Sequence, residues 1–368
     1  MNRLMFISHS EVIKKQQIIF GVFDLILHSI FNNLMRFLAI TLFLSILQPV
    51  YALEKLNLKL YNYAKACPEN SAKNLNSLVD YLYKGGNNQT QRVELFCYWI
   101  AENIAYDTEA YESGKKTDTD KILSYKKGVC QNYAELLQKM CNAVRIECHL
   151  ISGYSKGYSY FKNKPFPDTD HSWNIVKVDG KYLFIDATWS SGYVEKVSGS
   201  LTFFKKLKIK EIFADPNYFL TTHLPGDPRW QLRDNPITLK SFSNNDSIKE
   251  MLKFTISKYT YLDSLKTYLV ADSIDQKIIS LRSTYNFNPV SSHLKSLADT
   301  YFNKAWKISH DAKEAKDYES AIDWYNQTIN LYSKLNNSHG VKWIGNAKKN
   351  INYCNSKIKA LKEIQRTN

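Results

Sequence analysis

Two hydrophobic periods alternate along this chain. Apolar residues at Leu75, Leu78, Val79 and Leu82 recur at helical spacing and stop at Gly85-Gly86, which predicts a helix over Ser71 to Tyr83. Thr90 opens a second, with Val93, Phe96, Cys97, Ile100 and Ile104 on one stripe, ending near Tyr106-Asp107. The polar segment Glu109 to Asp120 reads as a surface loop that borders a cleft. Behind Gly128, where a missing Cβ permits a tight turn, Ala134, Leu137, Cys141 and Leu136, Met140, Val144 mark a buried helix opened by Cys130.

The period then shortens to two. Glu147 to Tyr154 reads as a strand. Ser172 to Val178 and Lys181 to Ala187 are two more, joined by Asp179-Gly180, a strong hairpin signal. That two-residue turn sets Val178 opposite Lys181, Ile175 opposite Phe184, Trp173 opposite Asp186 and His171 opposite Thr188. His171, Trp173, Phe184 and Asp186 then share one face, and Val176, Val178, Leu183 and Ile185 the other. After Pro236 the helical period returns, over Ile248 to Tyr261, Leu262 to Val270, Ile274 to Tyr285, His293 to Ile308, Ala312 to Leu335 and Gly340 to Leu361.

The hairpin brings chemistry together. His171 and Asp186 become diagonal neighbours with Cβ atoms roughly 7–8 Å apart, a span that an imidazole N–H to carboxylate bond fits. An aspartate on a strand buried on both sides needs such a partner. Cys130 falls in the first turn of its helix, where unpaired N–H groups and the helix dipole favour a thiolate and can donate to an oxyanion. Cys130 would attack a carbonyl, His171 would accept and return the proton, and Asp186 would hold the imidazole tautomer. Each residue alone has a structural reading, as a helix-capping Cys, a core His or a turn Asp. Zinc is the competing use of Cys and His, but no CxxC or HxxxH spacing occurs, so no metal and no cofactor is expected.

Composition narrows the class. The 368 residues, 44% hydrophobic with 25 Tyr and 7 Trp, suffice for two folded domains. The net charge of +14 is spread along the chain; its densest run, Lys205 to Lys210, is short and interleaved with apolar residues. That argues for a solvated face and against a nucleic-acid footprint. Met35-Arg36, the apolar run Phe37 to Leu47, Pro49 and Val50-Tyr51-Ala52 have the layout of a signal peptide cleaved after Ala52. The run is short of the ~20 residues a membrane span needs. A start at Met35 accounts for residues 1–34; a membrane-associated hairpin that includes Ile18 to Leu34 is the alternative. Either way the mature chain is expected to begin near Leu53, in a secreted, periplasmic or cell-envelope setting, with no stable membrane span.

All six cysteines follow that point. Cys97, Cys141 and Cys148 sit in apolar surroundings as small buried residues. Cys130 and Cys141 cannot pair if they share a helix, since 11 residues of helix separate them by roughly 16 Å.

Gly128-Val129-Cys130-Gln131-Asn132-Tyr133-Ala134, His171-Ser172-Trp173-Asn174 and Asp186-Ala187-Thr188-Trp189 together resemble the transglutaminase-like superfamily, a rearranged relative of papain. Within it they are similar to the kyphoscoliosis-peptidase-like branch and related bacterial exported proteins. Trp99 to Asp107 and the stretch from Tyr218-Phe219-Leu220 through His223 to Asp227-Pro228, Trp230-Gln231-Leu232 fit the same branch. The resemblance covers about residues 70–242 and implies an α+β domain, a helix-borne Cys packed on an antiparallel sheet, with Cys130, His171 and Asp186 as the triad. It leaves the extra oxyanion donor open among Gln131, Trp99 and Tyr106, with Trp173 and Trp189 as further substrate-binding candidates. Ala312 to Leu335 resembles a tetratricopeptide hairpin, with Ala321 and Tyr325 at its small and large packing positions.

The expected organisation is an upstream segment and signal over 1–52, a transglutaminase-like domain over 53–242 and an all-helical, tetratricopeptide-like domain over 243–368. The expected activity is acyl chemistry on amide bonds of a peptide or protein substrate, by hydrolysis or transfer. The helical region would serve a protein partner. A catalytically inactive scaffold of the same fold is the alternative.

Overall fold

The computed structural model describes residues 56–115, 117–162, 164–245 and 260–367. The signal-peptide segment lies outside them. So does the helix expected over Ile248 to Tyr261, except at its end, where Thr260 is extended and Tyr261 opens the next helix.

Among the described residues nine strands fall in three sheets. β1 (Ala105–Tyr106) and β2 (Lys127–Gly128) form a short parallel pair. β3 (Cys148–Ser155), β4 (His171–Val178), β5 (Lys181–Ile185), β8 (Ile212–Ala214) and β9 (His223–Pro225) build an antiparallel sheet in the order β8-β5-β4-β3-β9. β6 (Gly192–Val197) and β7 (Ser200–Lys205) make a separate hairpin.

β4 is the middle strand, and seven of its eight residues are buried. Its two faces feed two cores. Val176, Val178, Leu183 and Ile185 join Phe96, Leu136, Leu137 and Met140, which come from the helices Gln89–Asn103 and Cys130–Ala143. Ile175, Trp173 and Phe184 join Phe219, Trp230 and Leu265. Each such side chain, fully buried, contributes about 1.5–3 kcal/mol, so the sheet is held from both sides.

The β4–β5 turn has the left-handed pair the sequence requires, with φ of 49° at Asp179 and 76° at Gly180. Val178 pairs with Lys181 and Ile175 with Phe184, as expected. The last rung is Asn174 with Ile185, so the expected Trp173–Asp186 and His171–Thr188 pairings are corrected. Asp186 leaves the strand to cap the helix Ala187–Ser191, its side chain accepting from the N–H groups of Thr188 and Trp189. N-capping wins over strand extension because an Asp satisfies two helix-terminal donors at once.

Two other expectations change. Glu109 to Asp120 is not an open loop. It holds the helix Thr108–Ser113, capped by Asp107, and the 3-10 turn Thr119–Lys121, capped by Asp118. Ser71 to Tyr83 divides at Asn74, which caps the helix Leu75–Gly85 after a 3-10 turn at Ser71–Lys73.

The C-terminal region is helical: Tyr261–Leu269, Ser273–Phe287, Ser291–Asp311, Ala315–Ser333 and Ser338–Thr367. Ala305, Ala321, Tyr325, Ala347 and Cys354 form the core of its last three helices. It is tied to the sheet by polar contacts as well as by Leu265. Arg229 Nη1 lies 3.2 Å from Asp227 Oδ2, and Arg229 Nε donates to Ser264 Oγ at 2.8 Å. Ser280 donates to Asp227 Oδ2 at 3.0 Å, and Asn288 Nδ2 to Tyr154 OH at 3.0 Å. No helix among the described residues is long and apolar enough to cross a membrane.

Candidate active site

Cys130 is the first residue of its helix, and the start of that helix is locked in place. Val129 N–H donates to Asn132 Oδ1 at 2.9 Å, and Asn132 Nδ2 donates to Thr119 Oγ1 at 2.9 Å. The Thr117 hydroxyl also donates to Asn132 Oδ1. A Cβ on Gly128 would meet the Asn132 Cβ at 2.8 Å, so only glycine lets the strand approach this cap. Tyr133 OH donates to the Ile104 carbonyl at 2.8 Å and ties the helix to its neighbour.

The same helix is keyed to β4. Asn174 Nδ2 donates to the Ala134 carbonyl at 2.9 Å, and Ser172 Oγ to Gln131 Oε1 at 2.9 Å. Alternation then turns His171 and Trp173 away from those two side chains. At the start of β4, the His171 ring lies near enough to the Cys130 sulfur to feel it electrostatically.

His171 Nε2 lies 2.7 Å from Asp186 Oδ2. Asp186 is completely buried, and its carboxylate is fully used. Oδ1 accepts from Thr188 N at 2.8 Å and Trp189 N at 2.9 Å. Oδ2 takes a second imidazole, His223 Nε2, at 3.0 Å. His223 Nδ1 is 3.0 Å from the Thr222 hydroxyl.

These contacts set the charges. Burial pushes the Asp186 carboxyl up, but the His171 charge and hydrogen bonds from both imidazoles outweigh it and hold the group well below the usual carboxylate range. Burial pushes His171 down; the Asp186 charge and hydrogen bond, with the Cys130 sulfur, overcome that and hold the imidazolium well above its ordinary value. At His223 burial prevails and lowers the pKa. The shared carboxylate site thus shifts its two imidazoles in opposite directions.

Beside this group opens a cavity of about 240 Å³. His171, Tyr106, Tyr111, Trp189, Tyr193 and Phe203 line it. The β6–β7 hairpin supplies the last two. Asp170 and Lys208 add one charge of each sign to its wall. Lys208 belongs to the basic run read above as a solvated face; it is partly buried here, and burial lowers its pKa.

Residues 76–187 match the sequence model of the transglutaminase-like superfamily. These residues form a transglutaminase-like domain, similar to that of the kyphoscoliosis peptidases. It is 34% identical to kyphoscoliosis peptidase of Mus musculus over 179 residues, covering 46% of this chain and 26% of that protein. With kyphoscoliosis peptidase of Homo sapiens it shares 31% over 206 residues, covering 53% and 30% respectively. The chain thus spans under a third of the length of these curated relatives. A solved protein from Parabacteroides distasonis is 20% identical over 43% of this chain and 30% of its own, with a TM-score of 0.26.

The structure sorts the candidate residues of the transglutaminase-like domain. His171 is bonded to Asp186 and feels the Cys130 sulfur; Tyr106 and Trp189 line the cavity; Trp173 packs in the core behind His171, with ring centroids 5.9 Å apart. Trp99 and Gln131, the other two oxyanion candidates, have neighbours of their own. Trp99 is fully buried, close to Cys67 and with Lys126 Nζ 4.8 Å from its ring. The Gln131 carboxamide is already engaged, donating to Glu135 Oε1 at 2.6 Å while accepting from Ser172. Helical i,i+4 geometry gave Gln131 a partner on its own helix.

His223 received no role from the sequence. The one available signal was a histidine just after Tyr218-Phe219-Leu220 in a stretch with branch resemblance. His171, Asp186 and His223 are also the group, among the described residues, whose ligand atoms converge closely enough to hold a cation. Tetrahedral zinc with bonds of about 2.0–2.1 Å keeps its ligand atoms about 3.3 Å apart. The N–O separations of 2.7 and 3.0 Å here are hydrogen-bond lengths. Both rings spend the nitrogen nearest Asp186 on that bond, so the group fits a proton-sharing chain and not a metal centre.

Proposed function

We propose that this chain is a cysteine enzyme that acts on amide bonds of peptides or proteins through a thioester acyl-enzyme. What supports the reading is the buried hydrogen bond from His171 Nε2 to Asp186 at 2.7 Å, with the Cys130 sulfur near enough to His171 to help raise its pKa.

In this scheme the Cys130 sulfur adds to the substrate carbonyl carbon. The oxyanion that forms is met by N–H groups of the first helical turn. As the C–N bond breaks, the leaving amine takes the proton from His171 Nδ1, and Asp186 keeps Nε2 protonated. Water or a second amine then attacks the thioester, giving its proton to His171 as Cys130 leaves. The aromatic cavity would receive a substrate side chain next to the reacting carbonyl, shielding it from water.

Incubation with a glutamine-containing peptide and a labelled amine tests the scheme. Amine incorporation that disappears in Cys130→Ala supports transfer; peptide or ammonia release without incorporation supports hydrolysis. If Cys130→Ala matches the wild type in both, the inactive-scaffold reading takes its place. We further propose, from residues 35–52, that the chain acts outside the cytoplasm, and that the tetratricopeptide-like helices meet a protein partner. A fusion of residues 1–60 to a reporter active only after export tests the first.

A further inference from the structure

His223 is a buried titratable side chain that the scheme above does not use. It opens β9 at one edge of the sheet, paired with β3 through Ser155, while Asp186 follows β5 on the other side of β4. The fold therefore brings a third strand to the carboxylate. The ring is clamped by aromatic neighbours: its centroid is 4.0 Å from Phe219 in a stacked pair, 4.3 Å from Trp189 and 5.2 Å from Trp173. A carboxylate only accepts, so Nε2 carries the proton and donates to Asp186, while Nδ1 lies 3.0 Å from the Thr222 hydroxyl.

Each carboxylate oxygen offers two lone-pair directions. At Oδ1 both are filled by backbone N–H groups, and at Oδ2 by the two imidazoles. A carboxylate with all four positions taken cannot pivot about its Cβ–Cγ bond. Remove one donor, and in this dry site an acceptor goes unpaired while the plane is free to turn. His171 depends on that plane for its own direction.

We propose that His223 is a positioning residue: its Nε2–H, sharing Asp186 Oδ2 with His171, fixes the carboxylate and through it the ring that faces Cys130. This rests on the functional reading above, since it gives His171 its task. A purely space-filling residue at 223 would need only the aromatic contacts. Burial lowers the pKa of this ring, and Nε2 donates to the carboxylate in either charge state. The other titratable groups that feel the Asp186 charge are Tyr106, Tyr133, Lys208, Glu211 and Tyr218.

The test compares His223→Phe, which keeps the stack and removes the donor, with His223→Gln, whose amide can replace it. In the full chain with ¹⁵N-labelled histidine, the His171 Nε2–H proton, assigned by its loss in His171→Ala, is expected as a slowly exchanging downfield resonance. It should persist in His223→Gln and vanish or move upfield in His223→Phe. Iodoacetamide labelling of Cys130 at pH 7 should slow about tenfold in His223→Phe, the order expected for one lost bond to a charged group, and less than threefold in His223→Gln. A folded His223→Phe with the resonance and the labelling rate both unchanged overturns the proposal. Should that variant not fold, Thr222→Val, which removes the hydroxyl 3.0 Å from His223 Nδ1, is expected to weaken the same resonance, and no change there overturns the proposal equally. If Cys130 shows no special reactivity even in the wild type, the functional reading fails, while the resonance still decides the role of His223.

Discussion

Replacing Asp186 by Asn keeps the shape and removes the charge. In the wild type the carboxylate is fully buried and accepts four N–H groups. An Asn placed to keep both backbone bonds at Oδ1 points its NH2 at two imidazole donors. Two hydrogen bonds to a charged acceptor are then lost, each worth about 1.5–3 kcal/mol, for a destabilisation of about 3–6 kcal/mol. That is a large part of the roughly 5–15 kcal/mol holding a typical domain together.

The loss should depend on pH in a definite direction. The His171 pKa is raised on folding, so its contribution is fully present below its unfolded value of about 6.5 and drains away as pH rises through the folded value. That of Asp186 is depressed, so its contribution is present above about 3.9 and fades as pH falls through the folded value. Urea unfolding of both proteins, followed by tryptophan fluorescence from pH 5 upward, gives the difference directly. The gap is expected to be widest near pH 5–6 and to narrow toward alkaline pH. A gap below about 1 kcal/mol, or one that widens as pH rises from 6, refutes the electrostatic account of this pair.

His223 titrates with the opposite consequence from His171. Its pKa is lowered on folding, so its stabilising contribution is present above about 6.5 and lost as pH falls through the folded value; His223→Gln should flatten the acid limb of a stability–pH curve. Asn132→Ala removes a buried acceptor and donor from the start of the Cys130 helix and is expected to cost about 1–3 kcal/mol, with faster amide exchange at Val129 as the local sign. Phe203→Ala opens the cavity wall and should lower turnover of peptides bearing a large apolar side chain beside the scissile amide, with little change for glycine-flanked ones. Asp227→Ala strands the buried Arg229 charge at the junction with the C-terminal helices; a loss of about 3–5 kcal/mol is expected, read as a lower urea midpoint.

Much of the core of this structure is written in local pattern. The Asp179-Gly180 turn fixed the β4–β5 register, and period-two burial on both faces of β4 follows from it. The helical stripe from Cys130 likewise placed a sulfur at a helix start. Pattern failed where a polar side chain had two uses. Asp186 reads as the end of a strand until its capping of the Ala187–Ser191 helix is seen, because the donors it satisfies appear only once the helix forms. The helix Thr108–Ser113 lies hidden in a polar stretch for the same reason, its first turn held by the Asp107 cap. His223 was out of reach of pattern altogether: 37 residues separate it from Asp186, and only the sheet order β5-β4-β3-β9 brings them together.

Cys130 and Cys67 are the two partly exposed cysteines among the six, and the other four are buried. Comparing their alkylation separates access from activation. After brief iodoacetamide treatment at pH 7, peptide mass mapping should find Cys130 modified at least about tenfold faster than Cys67, with that advantage abolished in His171→Ala, as expected for a sulfur activated by an adjacent imidazole. Equal labelling of the two, or an advantage that survives the loss of His171, would contradict the assignment of Cys130 as nucleophile.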